Sequence, residues 1–108
     1  MKLSLLLAAL CLLATAATTR AADAKATYDK DCAKCHGPDG KGDTKMGKKL
    51  EVKDYTDAKV QAAMKDDEMA KVIKQGKKEG DKTKMKAFTE LSDADIKGLV
   101  AYIRGLKK

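Results

Sequence analysis

The clearest pattern of hydrophobic and polar positions lies near the C-terminal end of the chain. Apolar residues recur there at intervals of three or four, at Ile96, Leu99, Val100, Ile103 and Leu106. This spacing places their side chains on one face of a helix. Ser92 and Asp95 precede the stripe with the spacing of a capping box, in which Asp95 replaces the usual Glu or Gln. The pattern predicts a helix that begins after Ser92 and buries one face.

A second helix is predicted between Asp23 and Cys35. The residues on its common face are Ala24, Tyr28, Cys32 and Cys35. The segment that follows, 37–42, contains Pro38 and three glycines, and such a segment does not sustain helical backbone. The helix is therefore expected to end at this point.

Two shorter helices are predicted between these elements. Val60, Ala63 and Met64 indicate the first. Met69, Val72 and Ile73 indicate the second, with Asp66 or Asp67 as its cap and Gly76 as its stop. The segments leading to about Tyr55 and from Lys77 to Glu90 are polar and predict loops. Because no run alternates convincingly enough to predict a strand, the predicted fold class is all-α.

The first residues show the pattern of a secretory signal peptide. A basic start at Lys2 precedes an apolar run, and small residues follow up to Ala21 and Ala22. The predicted division is a signal peptide over 1–21 and one domain over 22–108. A permanent membrane anchor is the competing interpretation, but the run is shorter than the ~20 apolar residues that a spanning helix needs. A lipid-acceptor role for Cys11 is disfavoured, because Leu10 stands where a lipobox has a small residue.

Composition makes a cofactor necessary in a chain of this length. The chain has 108 residues, no Trp, three Tyr and one Phe. A domain this small buries little apolar surface and usually needs a disulfide, a metal or a cofactor for stability. Outside the leader only two cysteines remain, and a disulfide across three positions would constrain nothing distant. Something other than a disulfide must complete the core.

The segment Cys32-Ala33-Lys34-Cys35-His36 has the spacing of the haem-attachment motif C-x-x-C-H. On a helix, positions i, i+3 and i+4 share one face, so both thiols and the imidazole point at the same object. Two thiols can form thioethers with the two vinyl groups of a haem while the imidazole reaches the iron. A thioredoxin-type pair would require a βαβ context, and a zinc site would require further ligands, but His36 is the only histidine.

The sequence resembles the class I c-type cytochromes over nearly all of the chain beyond the leader. The motif continues as Cys-His-Gly-Pro-Asp-Gly-Lys-Gly, which is similar to many bacterial members. In that family an aromatic residue at the position of Tyr28 packs against the last helix, where Leu99 and Tyr102 stand at the contact positions. The resemblance implies a small cytochrome c fold, with three to five helices around one covalently attached haem c and its iron.

The resemblance also implies a distal methionine ligand in a loop before the last helix. Met85 is the expected ligand, because Met85-Lys86-Ala87-Phe88 is similar to the family's Met-Pro-x-Phe pattern with Lys86 replacing the proline. Met64 and Met69 lie at helical spacing with other apolar residues and are the next alternatives. Met46 follows His36 too closely to reach the opposite face of a haem. The acceptor for the imidazole N–H is expected among the backbone carbonyls of 45–50.

Lysines concentrate in the two predicted loops, and the whole sequence has a formal net charge of +7. They are Lys45, Lys48 and Lys49 in the first loop, and Lys77, Lys78, Lys82, Lys84 and Lys86 in the second. If both loops border the exposed edge of a haem, these lysines would steer partners with acidic docking surfaces toward it. The alternative is that they form an ordinary solvated surface, in which acidic residues are interspersed. Nucleic-acid binding is disfavoured, because the chain has an export signal and no basic base-reading helix.

These observations together predict a soluble, monomeric, periplasmic electron carrier of a Gram-negative bacterium, without stable membrane insertion. It would transfer single electrons between redox partner proteins and would not be an enzyme. A haem-based sensor or small-ligand binder, in which the distal methionine is weak or absent, is the alternative. A peroxidase-like enzyme is disfavoured, because the chain beyond the leader has no second histidine and no arginine besides Arg104.

Overall fold

A computed structural model describes residues 23–108. The predicted signal peptide over 1–21 and its cleavage site therefore lie outside the described residues. Within 23–108 the chain forms five helices and one two-stranded antiparallel sheet. No helix in this part of the chain is both long and apolar enough to cross a membrane.

The first helix, α1, has three parts: an α-helical start over 23–27, a π-helical segment Tyr28–Cys32 and a final α-helical turn Ala33–His36. The remaining elements are α2 (Lys45–Leu50), α3 (Ala58–Ala63), α4 (Asp66–Gln75), β1 (Lys77–Glu79), β2 (Lys82–Met85) and α5 (Asp93–Arg104). The largely helical architecture confirms the predicted fold class, with the small sheet as an addition to it.

Helix α5 begins with the predicted capping box. The Ser92 hydroxyl accepts the backbone N–H of Asp95, and the Asp95 carboxylate accepts the backbone N–H of Ser92, both at 3.1 Å. These bonds satisfy two donors that the first turn of a helix would leave unpaired. The predicted apolar stripe is buried along the helix, at Ile96, Leu99, Val100 and Ile103.

The crossing of α1 and α5 forms the centre of the core. Tyr28 is fully buried, and its ring lies 5.0 Å from that of Tyr102 at an interplanar angle of 47°. The backbones approach closely beside this contact, since a Cβ atom added at Gly98 would lie 3.6 Å from the Cβ of Ala24. Two small residues therefore allow the helices to approach, and the aromatic pair fills the space next to them.

Helix α4 completes the core against α5. Met69 and Ile73 are buried on its inner face, together with Phe88 from the segment before α5. Its predicted stop at Gly76 is confirmed, but its predicted cap is wrong. Lys65 occupies the N-cap position, whereas Asp66 and Asp67 lie in the first turn. Acidic residues stabilise a first turn through the helix dipole without a capping hydrogen bond.

One polar network connects α3 to α5. Gln61 is buried, and its amide donates to the backbone carbonyls of Tyr55 (2.7 Å) and Ile103 (2.9 Å). The Arg104 guanidinium donates in turn to the side-chain and backbone oxygens of Gln61 and to the backbone carbonyl of Met64. The guanidinium thus binds two carbonyls at the C-terminal end of α3, of which that of Gln61 also accepts the Met64 backbone N–H.

Two elements lie where the sequence pattern predicts loops. Helix α2 begins at a Thr44 cap and buries only Gly47. Its sequence therefore has no apolar stripe from which a helix could be predicted. Strands β1 and β2 pair around Gly80, with a register irregularity between Lys77 and Lys78. Every side chain of β1 is exposed, and therefore the strand shows no alternation of apolar and polar residues. The expectation that this segment contains no strand is wrong for that reason.

Candidate functional site

The two cysteines and the histidine of the motif lie at the end of α1. Cys32 closes the π-helical segment, and Cys35 and His36 belong to the last α-helical turn. Both thiols are free and partly exposed. Burial raises the pKa of Cys32 to about 11, so this group is a protonated thiol at neutral pH. One helical turn therefore presents two thiols and one imidazole.

The His36 residue is half-buried, and burial lowers the pKa of its imidazole. The neutral form, which is the form that binds metals, is therefore favoured. The ring stacks on Tyr55, with centroids 5.0 Å apart and an interplanar angle of 22°. Its Nδ1 atom is buried and has no hydrogen-bond partner within 23–108, so the expected bond to a carbonyl of Lys45–Leu50 is not formed.

Three hydrogen bonds determine the backbone around the motif. The Tyr28 hydroxyl donates to the Gly37 carbonyl (2.7 Å), and the Gly42 N–H donates to the His36 carbonyl (2.7 Å). The Thr44 hydroxyl donates to the Cys35 carbonyl (2.8 Å). These bonds satisfy carbonyls at the C-terminal end of α1, and they hold the following loop against the helix.

Helix α2 packs against the same turn through Gly47. A Cβ atom at this position would collide with the carbonyl oxygens of Cys35 and Gly42, so only glycine permits this approach. The Gly47 N–H donates to the Thr44 hydroxyl at 2.8 Å, and thus one threonine caps α2 and binds the motif. The turn that carries Cys32, Cys35 and His36 is therefore held by α2 as well as by the rest of α1.

The donor set fits a covalently attached haem. Two thiols match its two vinyl groups, and burial favours the neutral form of the imidazole beside them, which is the form that binds iron. Between residues 23 and 108 no cluster of three or more His, Cys, Asp or Glu residues could hold a metal ion by itself. The donor chemistry of a structural zinc site is not assembled in this part of the chain.

The four methionines of the described chain occupy different environments. Met69 is buried in the core with Ile73, and Met46 is exposed. Met64 follows α3 and Met85 ends β2, and both are half-buried against the core. A distal ligand needs a side chain that is neither committed to the core nor free in solvent. This criterion leaves Met85 and Met64, of which Met85 is the residue expected from the sequence.

The lysines of the two predicted loops are mostly exposed. Lys84, the exception, is half-buried and pairs with Glu79 (3.3 Å), while Lys48 pairs with Asp43 (3.0 Å). Lys77, Lys78 and Lys82 of the hairpin make no ion pair with any residue of 23–108. The hairpin that ends at Met85 therefore carries three lysines without an ion pair within 23–108, and Lys45, Lys49 and Lys86 are likewise unpaired in this part of the chain.

Sequence reasoning missed three residues that shape the site, namely Tyr55, Thr44 and Gln61. Tyr55 contacts His36, Thr44 binds the Cys35 carbonyl, and Gln61 holds the Tyr55 backbone. An isolated aromatic residue in a polar stretch was a signal for Tyr55. Thr44 and Gln61 have no sequence signal, because their partners are backbone atoms that only the folded chain brings near.

A helical turn with two thiols and an imidazole, beside a last helix that packs on an aromatic residue, defines the class of protein as a c-type cytochrome. The comparisons with known proteins agree. The family model described as Cytochrome C oxidase, cbb3-type, subunit III matches residues 19–103. No curated protein matches the chain.

The solved structures that are similar to this chain include two of c-type cytochromes. The KustC0563 c-type cytochrome is 34% identical with a TM-score of 0.69, over 78% of this chain and 96% of that chain. A tyrosine-to-phenylalanine mutant of Kustc0563 is 32% identical with a TM-score of 0.68, over 79% and 99% of the two chains. The chain belongs to the class I c-type cytochromes, whose covalently bound haem c performs electron transfer through its iron.

Proposed function

We propose that this chain is a soluble periplasmic monohaem cytochrome that carries single electrons between redox partner proteins. The observation that carries the proposal is the turn that presents Cys32, Cys35 and the neutral imidazole of His36 together. Bound haem supplies a reversible one-electron couple at its iron. A protein with this role binds and orients the haem, limits solvent access and presents an edge to its partners.

Four residues hold the haem in this proposal. Cys32 and Cys35 form the thioether bonds, and His36 is the proximal ligand through Nε2. Tyr55, stacked on the imidazole, restricts its orientation. Met85 would be the distal ligand, because it is half-buried and ends the hairpin, ahead of the segment that leads to α5. His36 and Met85 would together hold the iron, and a His/Met donor pair would raise the reduction potential, which would suit electron transfer and disfavour oxygen chemistry.

The proposed periplasmic location is supported by the leader pattern over 1–21. A basic residue, an apolar run and small residues in that order are typical of exported proteins. Thioether attachment of haem also takes place outside the cytoplasm. A fusion of residues 1–22 to a reporter enzyme tests this location, and activity of the reporter in the cytoplasm alone would exclude it.

The proposed partners have acidic docking surfaces. The uncompensated lysines Lys77, Lys78 and Lys82 lie on the hairpin that ends at Met85. A positive field at this place accelerates encounter with a negatively charged surface, and added salt weakens the effect. Transfer to a partner through this face is thus expected to depend on ionic strength.

Absorption spectra of the haem-loaded protein test the ligand assignment. A pyridine haemochrome assay is expected to show two thioether bonds. The ferric protein is expected to be low-spin and six-coordinate, with a weak thioether-to-iron band at the red end of the visible spectrum. Met85→Ala should abolish this band. It should also lower the midpoint potential, because the thioether favours ferrous iron and its loss leaves a harder ligand or none.

Met46→Ala and Met64→Ala are the matched controls. Met46 is exposed, so Met46→Ala should leave the thioether-to-iron band and the midpoint potential unchanged. If Met64→Ala abolished the band and Met85→Ala retained it, Met64 would be the ligand. Five-coordinate iron at rest with tight carbon monoxide binding would instead favour the sensor, whose distal position is open.

A further inference from the structure

The residue that ends α4, Gly76, lies against the backbone that follows the proposed distal ligand. A Cβ atom added at Gly76 would lie 2.6 Å from the Met85 carbonyl oxygen and 2.8 Å from the Ala87 nitrogen. Carbon atoms do not approach other backbone atoms so closely. The neighbours are main-chain atoms, which cannot rotate away as a flexible side chain can. Any other residue at position 76 would displace the chain at Met85.

The conformation of Gly76 imposes the same requirement independently. Its dihedral angles are φ 76° and ψ −177°, a region that is open almost only to glycine. This conformation turns the chain from α4 directly into β1, where Lys77 pairs with Met85. Gly76 thus determines both where the hairpin begins and how near its second strand returns.

A hydrogen bond anchors the chain on the far side of Met85. The Phe88 N–H donates to the Ile73 carbonyl of α4 (3.0 Å), and the Phe88 ring is buried. Met85 is consequently held by the β1–β2 ladder before it, by Gly76 beneath it and by Phe88 after it. All three restraints originate in or directly after α4.

The sequence lacks the residue that would otherwise restrain this segment. A proline after Met85 would have a fixed φ and would restrict Met85 itself to extended backbone. Lys86 stands at that position, with its ammonium 5.0 Å from the Phe88 ring centroid. Lysine imposes no such restriction on the backbone.

We infer that Gly76, together with the β1–β2 hairpin, holds Met85 in place as the iron ligand in the absence of that proline. Gly76 is a positioning residue, since it acts through the backbone of Met85. The inference rests on the proposed function, in which Met85 binds the iron. Bound and unbound Met85 are in equilibrium, and a loosened segment raises the unbound fraction. An added ligand then binds more tightly, in proportion to that fraction.

The test is Gly76→Ala in the haem-loaded ferric protein, with imidazole as the added ligand. We expect a weaker thioether-to-iron band, a lower midpoint potential and imidazole binding that is tighter by about tenfold or more. Gly80→Ala is the matched control, because Gly80 also has a positive φ (60°) and belongs to the same hairpin, but nothing lies within 4 Å of its added Cβ atom. Gly80→Ala should leave the thioether-to-iron band and the imidazole affinity close to those of the unaltered protein.

A second variant tests the hairpin and remains informative if Gly76→Ala fails to retain haem. Lys82 is exposed and pairs with Glu79 across the two-residue turn, where an antiparallel hairpin has a hydrogen-bonded pair, so Lys82→Pro removes a ladder donor without disturbing the core. The same three changes are expected. A wild-type band and wild-type imidazole affinity in Lys82→Pro and in any folded Gly76→Ala protein would overturn the inference, provided that Met85→Ala abolishes the band. If Met85→Ala retained the band, the ligand assignment itself would fail.

Discussion

Tyr28 connects the core to the haem-attachment turn through a single side chain. Its ring is fully buried beside Tyr102, and its hydroxyl donates to the Gly37 carbonyl, directly after His36. Burial raises the pKa of this phenol well above its ordinary value, so it remains a neutral donor at all physiological pH values. A phenylalanine would fill the same space but would leave the carbonyl without this donor.

We expect Tyr28→Phe to destabilise the haem-loaded protein by about 1–2 kcal/mol. A buried carbonyl that loses its partner incurs a desolvation cost of this order. Guanidinium unfolding followed by circular dichroism measures the change. Tyr102→Phe is the control, because the Tyr102 hydroxyl donates no hydrogen bond within residues 23–108. Equal stability of Tyr28→Phe and the unaltered protein would contradict a stabilising role for this bond.

At the residue scale, the two thiols and the imidazole could be predicted from the sequence, but the residues that contact them could not. Cys32, Cys35 and His36 are nearly contiguous, so helix periodicity alone places them on one face. Tyr55 and Thr44 reach the same turn only because the loops fold back on it. No local rule specifies the path of such a loop. The predicted carbonyl acceptor for the imidazole failed for the same reason.

The contact of α1 with α5 shows how small residues determine the distance between helices. Gly98 lies opposite Ala24 at this crossing, and the aromatic pair of Tyr28 and Tyr102 packs beside it. A methyl group at position 98 would meet the Ala24 Cβ at 3.6 Å, an ordinary van der Waals distance. A larger side chain would have to push the helices apart, because Ala24 is buried.

Gly98→Ala is expected to stabilise the protein by about 0.5–1 kcal/mol. Alanine loses less backbone entropy than glycine in a helix interior, and the crossing accommodates its methyl group. Gly98→Leu should instead destabilise by about 1–3 kcal/mol through overpacking of the crossing. Thermal unfolding of both variants measures the two effects. Destabilisation by Gly98→Ala would show that the crossing is tighter than the contact distance indicates.

Elements with an apolar face were predictable, and those without one were not. Helix α5 buries four residues of its stripe, and α4 buries Met69 and Ile73, so hydrophobic periodicity identified both. Helix α2 buries only Gly47, and β1 buries no side chain. These two elements exist because of a threonine cap, close glycine contacts and pairing with β2. Such interactions leave no periodic pattern in a sequence.

The whole molecule combines a small core with an uneven distribution of charge. Positive charge concentrates on the hairpin, where Lys77, Lys78 and Lys82 are exposed and make no ion pair within 23–108. On α4 and α5 charge is more balanced, since Lys74 pairs with Asp93 and Arg104 pairs with Asp66. The hairpin therefore contributes a positive field beside the segment that carries Met85.

Electron transfer to small charged reagents is expected to reveal this field. The rate of oxidation of the ferrous protein by anionic hexacyanoferrate should fall as ionic strength rises. The paired changes Lys78→Glu and Lys82→Glu should lower that rate at low salt. Lys71→Glu with Lys97→Glu, exposed positions on α4 and α5, changes the net charge equally and should have a smaller effect. Equal effects of the two pairs would show that only net charge matters.

The sequence by itself determined the all-α fold class, the last helix with its capping box, and the three residues that form the haem-attachment turn. Each of these depends on side chains a few positions apart, where helix geometry leaves one arrangement. The tertiary structure decided what surrounds them: Tyr55 on His36, Thr44 on the Cys35 carbonyl, and Gly76 beneath Met85. These contacts join segments that are distant along the chain, and only the packing of the whole domain brings them together.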